Sequence, residues 1–306
     1  MAVAESEGER ALGWQVRAGR WLRRSDTGRA YTLLSPTIVV MLAALAAPMA
    51  LLALYSFWSE YGLYLDQNFT LAQYATAFGR RSYRALFYRS VAISSVVTLV
   101  TVALAYPMAY FVAFKVERAK FVWLILLTIP FWTSYLLRVF AWKVILGYNG
   151  VINSSLMDLG LIREPLAFLL YNPFAVVVTL AHAWAAFAIL PIYVSLEKID
   201  RSLLEAAADL GDGPLRRFLR ITLPLSLPGV IGAAVLIFVP TTGDYVTPSL
   251  VGGSGGVMVA NVIDVQFTKI GNWPLGAALA MASMAVVAVL TLLTVQAARA
   301  AIARVK

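Results

Sequence analysis

Long apolar runs separated by short polar segments dominate this chain, and their length carries the first inference. Six stretches free of Asp, Glu, Lys and Arg run approximately from Ile38 to Phe57, Val91 to Phe114, Phe121 to Leu137, Phe174 to Leu196, Leu225 to Thr242 and Leu275 to Ala298. Each has roughly the 17 to 25 residues that a helix needs to cross a hydrocarbon core about 30 Å thick. Backbone groups in lipid must be satisfied within their own segment or in a closed barrel. These runs lack the apolar and polar alternation of a barrel strand, so they predict helices. The expected fold is an all-α membrane protein with six transmembrane helices.

The polar connections supply the orientation. With both termini inside, the cytoplasmic segments hold 17 Lys and Arg and the opposite-side segments hold 8, as the positive-inside rule requires. Residues 1–32 are Arg-rich and predict a cytoplasmic leader. The first apolar run is too long for a cleaved signal, so it predicts a retained anchor. The transmembrane domain then covers residues 33–300, with 197–224 as a cytoplasmic loop. Segment 138–173 is too long for a hairpin and predicts short helices at the outer face. Segment 243–274 carries Gly243, Pro248 and the run Gly252-Gly253-Ser254-Gly255-Gly256, which interrupts regular helix and predicts a re-entrant or scoop-like loop.

Composition changes the picture mainly by exclusion. The 306 residues are 60% hydrophobic and 13% charged, against about one quarter charged in soluble domains. The net charge of +9 therefore reflects membrane sidedness and not a nucleic-acid partner. There is no cysteine and only one histidine, His182, which removes disulfides, thiolate chemistry and Cys/His zinc sites. His182 lies within the fourth run and predicts an interhelical hydrogen bond by a neutral imidazole.

The most informative polar segment is the loop at 197–224. Leu203, Ala207 and Leu210 share one helical face, and Arg201, Glu205 and Asp209 lie along another. Ser202 with Glu205 has capping-box spacing, Gly211 suits the left-handed residue that ends a helix, and Pro214 suits the first turn of the next. Helix, turn, helix is the local prediction. The chain lacks GxxxxGK[ST], so an exposed helical element of this kind would let a separate ATPase act on the bundle. An interfacial helix lying on the membrane, with Glu205 paired to Arg201, fits the same pattern.

The pattern E-A-A-x3-G-x9-I-x-L-P is met from Glu205 to Pro224 without gap or mismatch. In this the loop resembles the EAA loop of binding-protein-dependent ABC importer permeases. The resemblance covers roughly residues 30–300 and implies a type I ABC importer permease bundle whose loop forms coupling helices in a cleft of the ATPase. It implies that role for Glu205, Ala206, Ala207, Gly211, Ile221, Leu223 and Pro224. The implied partners are a dimer of ATP-binding subunits, a second homologous permease, a periplasmic or extracellular solute-binding protein, a small-molecule substrate and the lipid of the inner plasma membrane. ATP and Mg would sit on the ATPase, with no cofactor on this chain and no enzyme activity of its own.

Further stretches resemble the first permease of spermidine/putrescine importers: Pro130-Phe131-Trp132-Thr133-Ser134-Tyr135-Leu136-Leu137-Arg138, Gly243-Asp244-Tyr245-Val246-Thr247-Pro248, and Asn261 to Ile263 followed by Gln266-Phe267 and Trp273 to Ala278. A polyamine is the first expectation, with an opine, an aminobutyrate-like compound or another small solute as the alternative. A polycation needs carboxylates or aromatic faces to replace its hydration, which singles out Asp244, Tyr245, Trp132 and Tyr135 as path residues. Trp132 and Tyr135, three apart, are expected on one face of the third helix. They also suit an interfacial belt, and Asp244 suits a turn. A channel or secondary transporter is disfavoured by the uncharged spans, and a membrane enzyme by the lack of clustered catalytic groups.

Overall fold

The computed structural model describes residues 26–61 and 64–303, most of them helical. The chain divides into two units, residues 1–54 and 55–306. The first holds most of helix α1, Asp26–Ser56, of which Ala30–Ser56 is long and apolar enough to cross a membrane. Residues 1–25 of the expected leader lie outside the described residues, and residues 26–32 already belong to α1.

In the second unit a two-stranded antiparallel hairpin, β1 Ser59–Tyr61 and β2 Tyr64–Asp66, leads into helix α2, Ala72–Gly79. Helix α3, Arg81–Tyr110, runs on through a wider π-type turn, Phe111–Lys115. Helix α7, Pro173–Glu197, is the centre of the bundle, with half of its most apolar window buried. It packs between α3 and α10, Leu223–Thr242. The close approach depends on small residues, as expected where lipid gives helices no hydrophobic reason to associate. A Cβ on Gly229 of α10 would stand 2.5 Å from the Pro191 carbonyl oxygen of α7. Helix α14, Trp273–Ala303, completes the unit with only 17% of its most apolar window buried, leaving much of its surface for lipid or another chain.

The third apolar run departs from expectation. Phe121 to Leu137 is not one helix: α4, Lys120–Thr128, passes through a 3-10 turn, Ile129–Trp132, and α5, Tyr135–Ile145, leaves at 83° to that direction. Pro130 has no N–H to give the preceding turn, and Thr133 and Ser134 are extended. Thr133 Oγ1 donates to the Pro130 carbonyl at 2.8 Å, satisfying locally what the broken helix leaves open. Among the described residues five single helices are long and apolar enough to cross a membrane, and with this bent pair counted as one span there are up to six.

The end of α5 and the following α6, Val151–Asp158, lie in segment 138–173, which therefore does hold short helices. Buried Asn153 closes that connection, donating to the Gly147 carbonyl at 3.2 Å and accepting the Leu166 N–H at 2.8 Å. Segment 243–274 folds into three short helices, α11 Val246–Val251, α12 Gly253–Gly256 and α13 Val259–Val265. Gly253 is required there: its φ is +57°, and a Cβ would lie 2.2 Å from the Tyr171 carbonyl oxygen.

Candidate coupling surface and membrane cavity

The loop at 197–224 forms α8, Arg201–Asp209, and a second short helix, α9, Pro214–Arg217. Asp200, not Ser202, is the N-cap of α8, with its carboxylate accepting the Ser202 N–H at 3.0 Å. The expected box is displaced because the Asp side chain reaches the first free N–H before the Ser hydroxyl has a role. Hydrogen bonds from Ser202 hold the Asp200 carboxyl below its ordinary range. The C-terminus of α8 is as expected. Gly211 has φ +86°, its N–H meets the Ala208 carbonyl at 2.9 Å, and the Asp212 N–H meets the Ala207 carbonyl at 2.9 Å. These are the two bonds of a Schellman end.

Glu205, Ala206 and Gly211 are exposed on this element and Ala207 is turned inward. Leu203 and Leu210 are 47% and 89% exposed, so two of the three residues of the apolar face stand open among the described residues while Ala207 packs inward. Glu205 has no ion pair with Arg201, whose guanidinium instead reaches the Ala113 carbonyl at 3.3 Å. Glu205 lines a cavity of about 390 Å³ together with Lys115, Arg201 and Arg217. Ile221 lies in a π-type turn, Phe218–Thr222, that joins α9 to α10, so the second loop helix is continuous with the fifth span. Leu223 and Pro224 are half-buried in the first turn of α10, and because that helix runs on from the π-type turn, Pro224 gives up one backbone bond there.

The path residues do not form one group. The break at Thr133 and Ser134 removes the helical register that would have put Trp132 beside Tyr135, and Trp132 is 81% exposed. Tyr245 is also exposed. Tyr135 and Asp244 do meet: the Tyr135 hydroxyl donates to Asp244 Oδ2 at 2.5 Å and lies 2.6 Å from Thr247 Oγ1. Asp244 Oδ1 accepts the Val246 N–H at 2.9 Å, opening α11 as an Asx turn. One carboxylate thus serves the turn and faces the tyrosine. A cavity of about 290 Å³ is lined by Phe131, Tyr135, Arg138, Ala183, Trp184, Phe187, Pro240 and Asp244.

Arg138 is the residue that sequence reasoning missed. It is 8% exposed and donates to the carbonyls of Ala183 at 2.8 Å, Thr133 at 3.1 Å and Phe131 at 3.3 Å. Its guanidinium also lies 5.2 Å from the centroid of the Phe131 ring. It therefore ties both sides of the break to the middle of α7. The signal was an arginine directly after an apolar run, read there as the edge of the membrane. His182 makes no hydrogen bond and instead meets Trp142 edge-on at 5.5 Å.

A helical bundle with an exposed two-helix loop next to its fifth span is matched over residues 69–304 by the family model for the binding-protein-dependent transport system inner membrane component. The chain belongs to that family. This permease is 36% identical over 218 residues to the spermidine/putrescine transport system permease protein PotB of Escherichia coli K12, covering 71% of the chain and 78% of PotB. It is 32% identical over 240 residues to the inner membrane ABC transporter permease protein YdcU of the same organism, covering 74% and 75%. Its fold is similar to that of a bacterial ABC transporter involved in the import of the acidic polysaccharide alginate, with TM-score 0.65 at 17% identity over 94% of this chain and 98% of that one. A second structure, of the alginate transporter with its oligosaccharide-bound periplasmic protein, gives TM-score 0.67 at 18% identity over 87% and 92%. The permease thus has the type I importer fold, is a multi-pass inner-membrane transport subunit, and is not an enzyme.

Proposed function

We propose that the chain forms half of the translocation path of an ATP-driven importer for a small ammonium-bearing solute, with a polyamine such as spermidine or putrescine as first candidate. The observation that carries this is Asp244, the one carboxylate lining an aromatic-walled cavity at the end of the fifth span. A cation entering that cavity can exchange water for the carboxylate and the faces of Trp184, Phe131 and Phe187. The similarity to PotB supports the same cargo class. A second reading, an opine or aminobutyrate-like zwitterion, is favoured by Arg138 on the same cavity wall. We place it second because that guanidinium already serves three backbone carbonyls.

In this reading two ATP-binding subunits carry ATP and Mg and receive the loop at 197–224. A homologous permease supplies the other half of the path and a solute-binding protein delivers cargo from outside. Loop and termini face the cytoplasm. In this cysteine-free chain a single Asp212→Cys tests the topology, and labelling only from outside intact cells would overturn it. The cargo is tested by uptake in the reconstituted complex with spermidine, putrescine, an opine and 4-aminobutyrate. Asp244→Asn is expected to lower spermidine uptake about tenfold while assembly and ATP hydrolysis persist, because it removes charge and keeps shape. Undiminished uptake by Asp244→Asn would remove the carboxylate from the path.

A further inference from the structure

Three elements meet at one carbonyl on the side of the coupling loop, and a fourth joins them through a lysine. The π-type turn Phe111–Lys115 ends α3, and its Ala113 carbonyl belongs to the last turn, where no helical N–H follows. Two cations fill the vacancy: Lys120 Nζ at 3.1 Å and Arg201 Nη2 at 3.3 Å. Lys120, the first residue of α4, also donates to both carboxylate oxygens of Glu197, the last residue of α7, at 2.7 and 3.0 Å. Arg201 is the first residue of α8. The junction therefore joins α3, α4, α7 and the loop. The far end of the loop returns to α3 as well. The Tyr106 hydroxyl is 2.8 Å from Ser226 Oγ, and the Phe218 ring meets Tyr106 and Tyr110 edge-on at 5.7 and 6.3 Å.

Helix α4 is suited to carry a displacement from this junction. It is a short stretch between two non-helical points: Ala119, left-handed at φ +58°, and Thr133 with Ser134, both extended. Hinges of this kind absorb backbone rotation while the segment between moves as a body. One end is the Lys120 junction, and the other is the bend whose next turn carries Tyr135 and Arg138 to the cavity. We propose that α4 is a strut transmitting movement of the ATPase-bound loop to the membrane cavity, with Lys120 and Glu197 as the positioning residues of its joint. The proposal rests on the reading of the loop as the ATPase-docking element. The two side chains are 23% and 41% exposed, so the pair adds little to stability and its loss leaves the bundle folded.

The test uses the complete transporter in proteoliposomes, with Ser134→Cys as the single thiol of the cysteine-free chain. Its labelling by a water-soluble maleimide is compared between nucleotide-free and vanadate-trapped states, so the readout needs no knowledge of the cargo. The native joint is expected to give a nucleotide-dependent labelling rate. Glu197→Gln and Lys120→Met are expected to reduce that dependence roughly tenfold while basal ATP hydrolysis remains, and Lys120→Arg, which still donates to both the Ala113 carbonyl and Glu197, to retain it. Nucleotide-independent labelling in the native joint, full dependence in both Glu197→Gln and Lys120→Met, or loss of the dependence in Lys120→Arg would each overturn the strut. So would an equal fall of assembly and ATP hydrolysis in Glu197→Gln and Lys120→Met, which would make the pair merely structural. Failure of the docking reading looks different: the ATP-binding subunits would stay bound when the loop face is altered by Leu203→Asp and Leu210→Asp.

Discussion

The coupling loop and the broken third span sit at opposite ends of α4 and are specified in opposite ways. In the loop every local device is written in neighbouring residues: an Asp that caps α8, a left-handed Gly211 that ends it and a proline that opens α9. The caps that start and end α8 close on backbone groups two to five residues away. In the third span the local sequence allows a helix, and the departure is held from afar by Arg138 reaching the Ala183 carbonyl, 45 residues on. A partner groove needs a surface element that keeps its shape alone. A cavity wall needs a kink that only the assembled bundle supports.

The sharpest way to break this comparison is at Arg138. Arg138→Met would leave three carbonyls in an apolar interior without their donor, a cost on the order of 3 to 5 kcal/mol. Little assembled permease is expected, measured as detergent-extracted complex retained on size exclusion. Arg138→Lys keeps the charge but not the fork, and should assemble with an intermediate melting temperature. Wild-type yield and melting in Arg138→Met would show that the bend is encoded locally after all.

Most of the bundle was legible because it depends on length and polarity, which survive any packing. The apolar runs mark the spans, and the EAA spacing marks the loop down to the φ of Gly211. The bend was not legible. A proline within a membrane helix does not by itself predict a break, and Thr133 and Ser134 are compatible with helix in lipid. For the same reason Trp132 and Tyr135 were given a common face that the break removes, leaving Tyr135 alone at Asp244. Asp244 was legible as a choice between turn and cavity. Two oxygens let it do both.

A milder perturbation sharpens the other half of the comparison. No atom lies within 4 Å of a Cβ built on Gly211, so a substitution there meets only backbone strain. Gly211→Val should cost about 1 to 2 kcal/mol locally, Gly211→Asn a few tenths, since Asn tolerates the left-handed region. The bundle is held elsewhere, so both variants should insert and assemble. Uptake should fall in the order glycine, asparagine, valine as α9 is misaimed from α8. Equal transport and stimulated ATP hydrolysis in all three would remove Gly211 from coupling.

The smallest expected effect separates the two duties of Asp244. Tyr135→Phe removes one hydroxyl and keeps the ring that walls the cavity. Asp244 Oδ1 would still open α11 through the Val246 N–H, so the turn should persist. The lost bonds to Asp244 Oδ2 and Thr247 Oγ1 amount to about 1 kcal/mol of stability, because water in the cavity replaces part of them. The consequence for transport has a definite sign. Without the hydroxyl, Oδ2 is free to meet an ammonium group, so a polyamine should be held more tightly and released more slowly. In uptake assays KM and maximal rate should then fall together, each by a few fold, whereas a neutral cargo should show neither change. A purely structural tyrosine predicts less assembled complex with KM unaltered, and that outcome would return Asp244 to the role of turn residue alone.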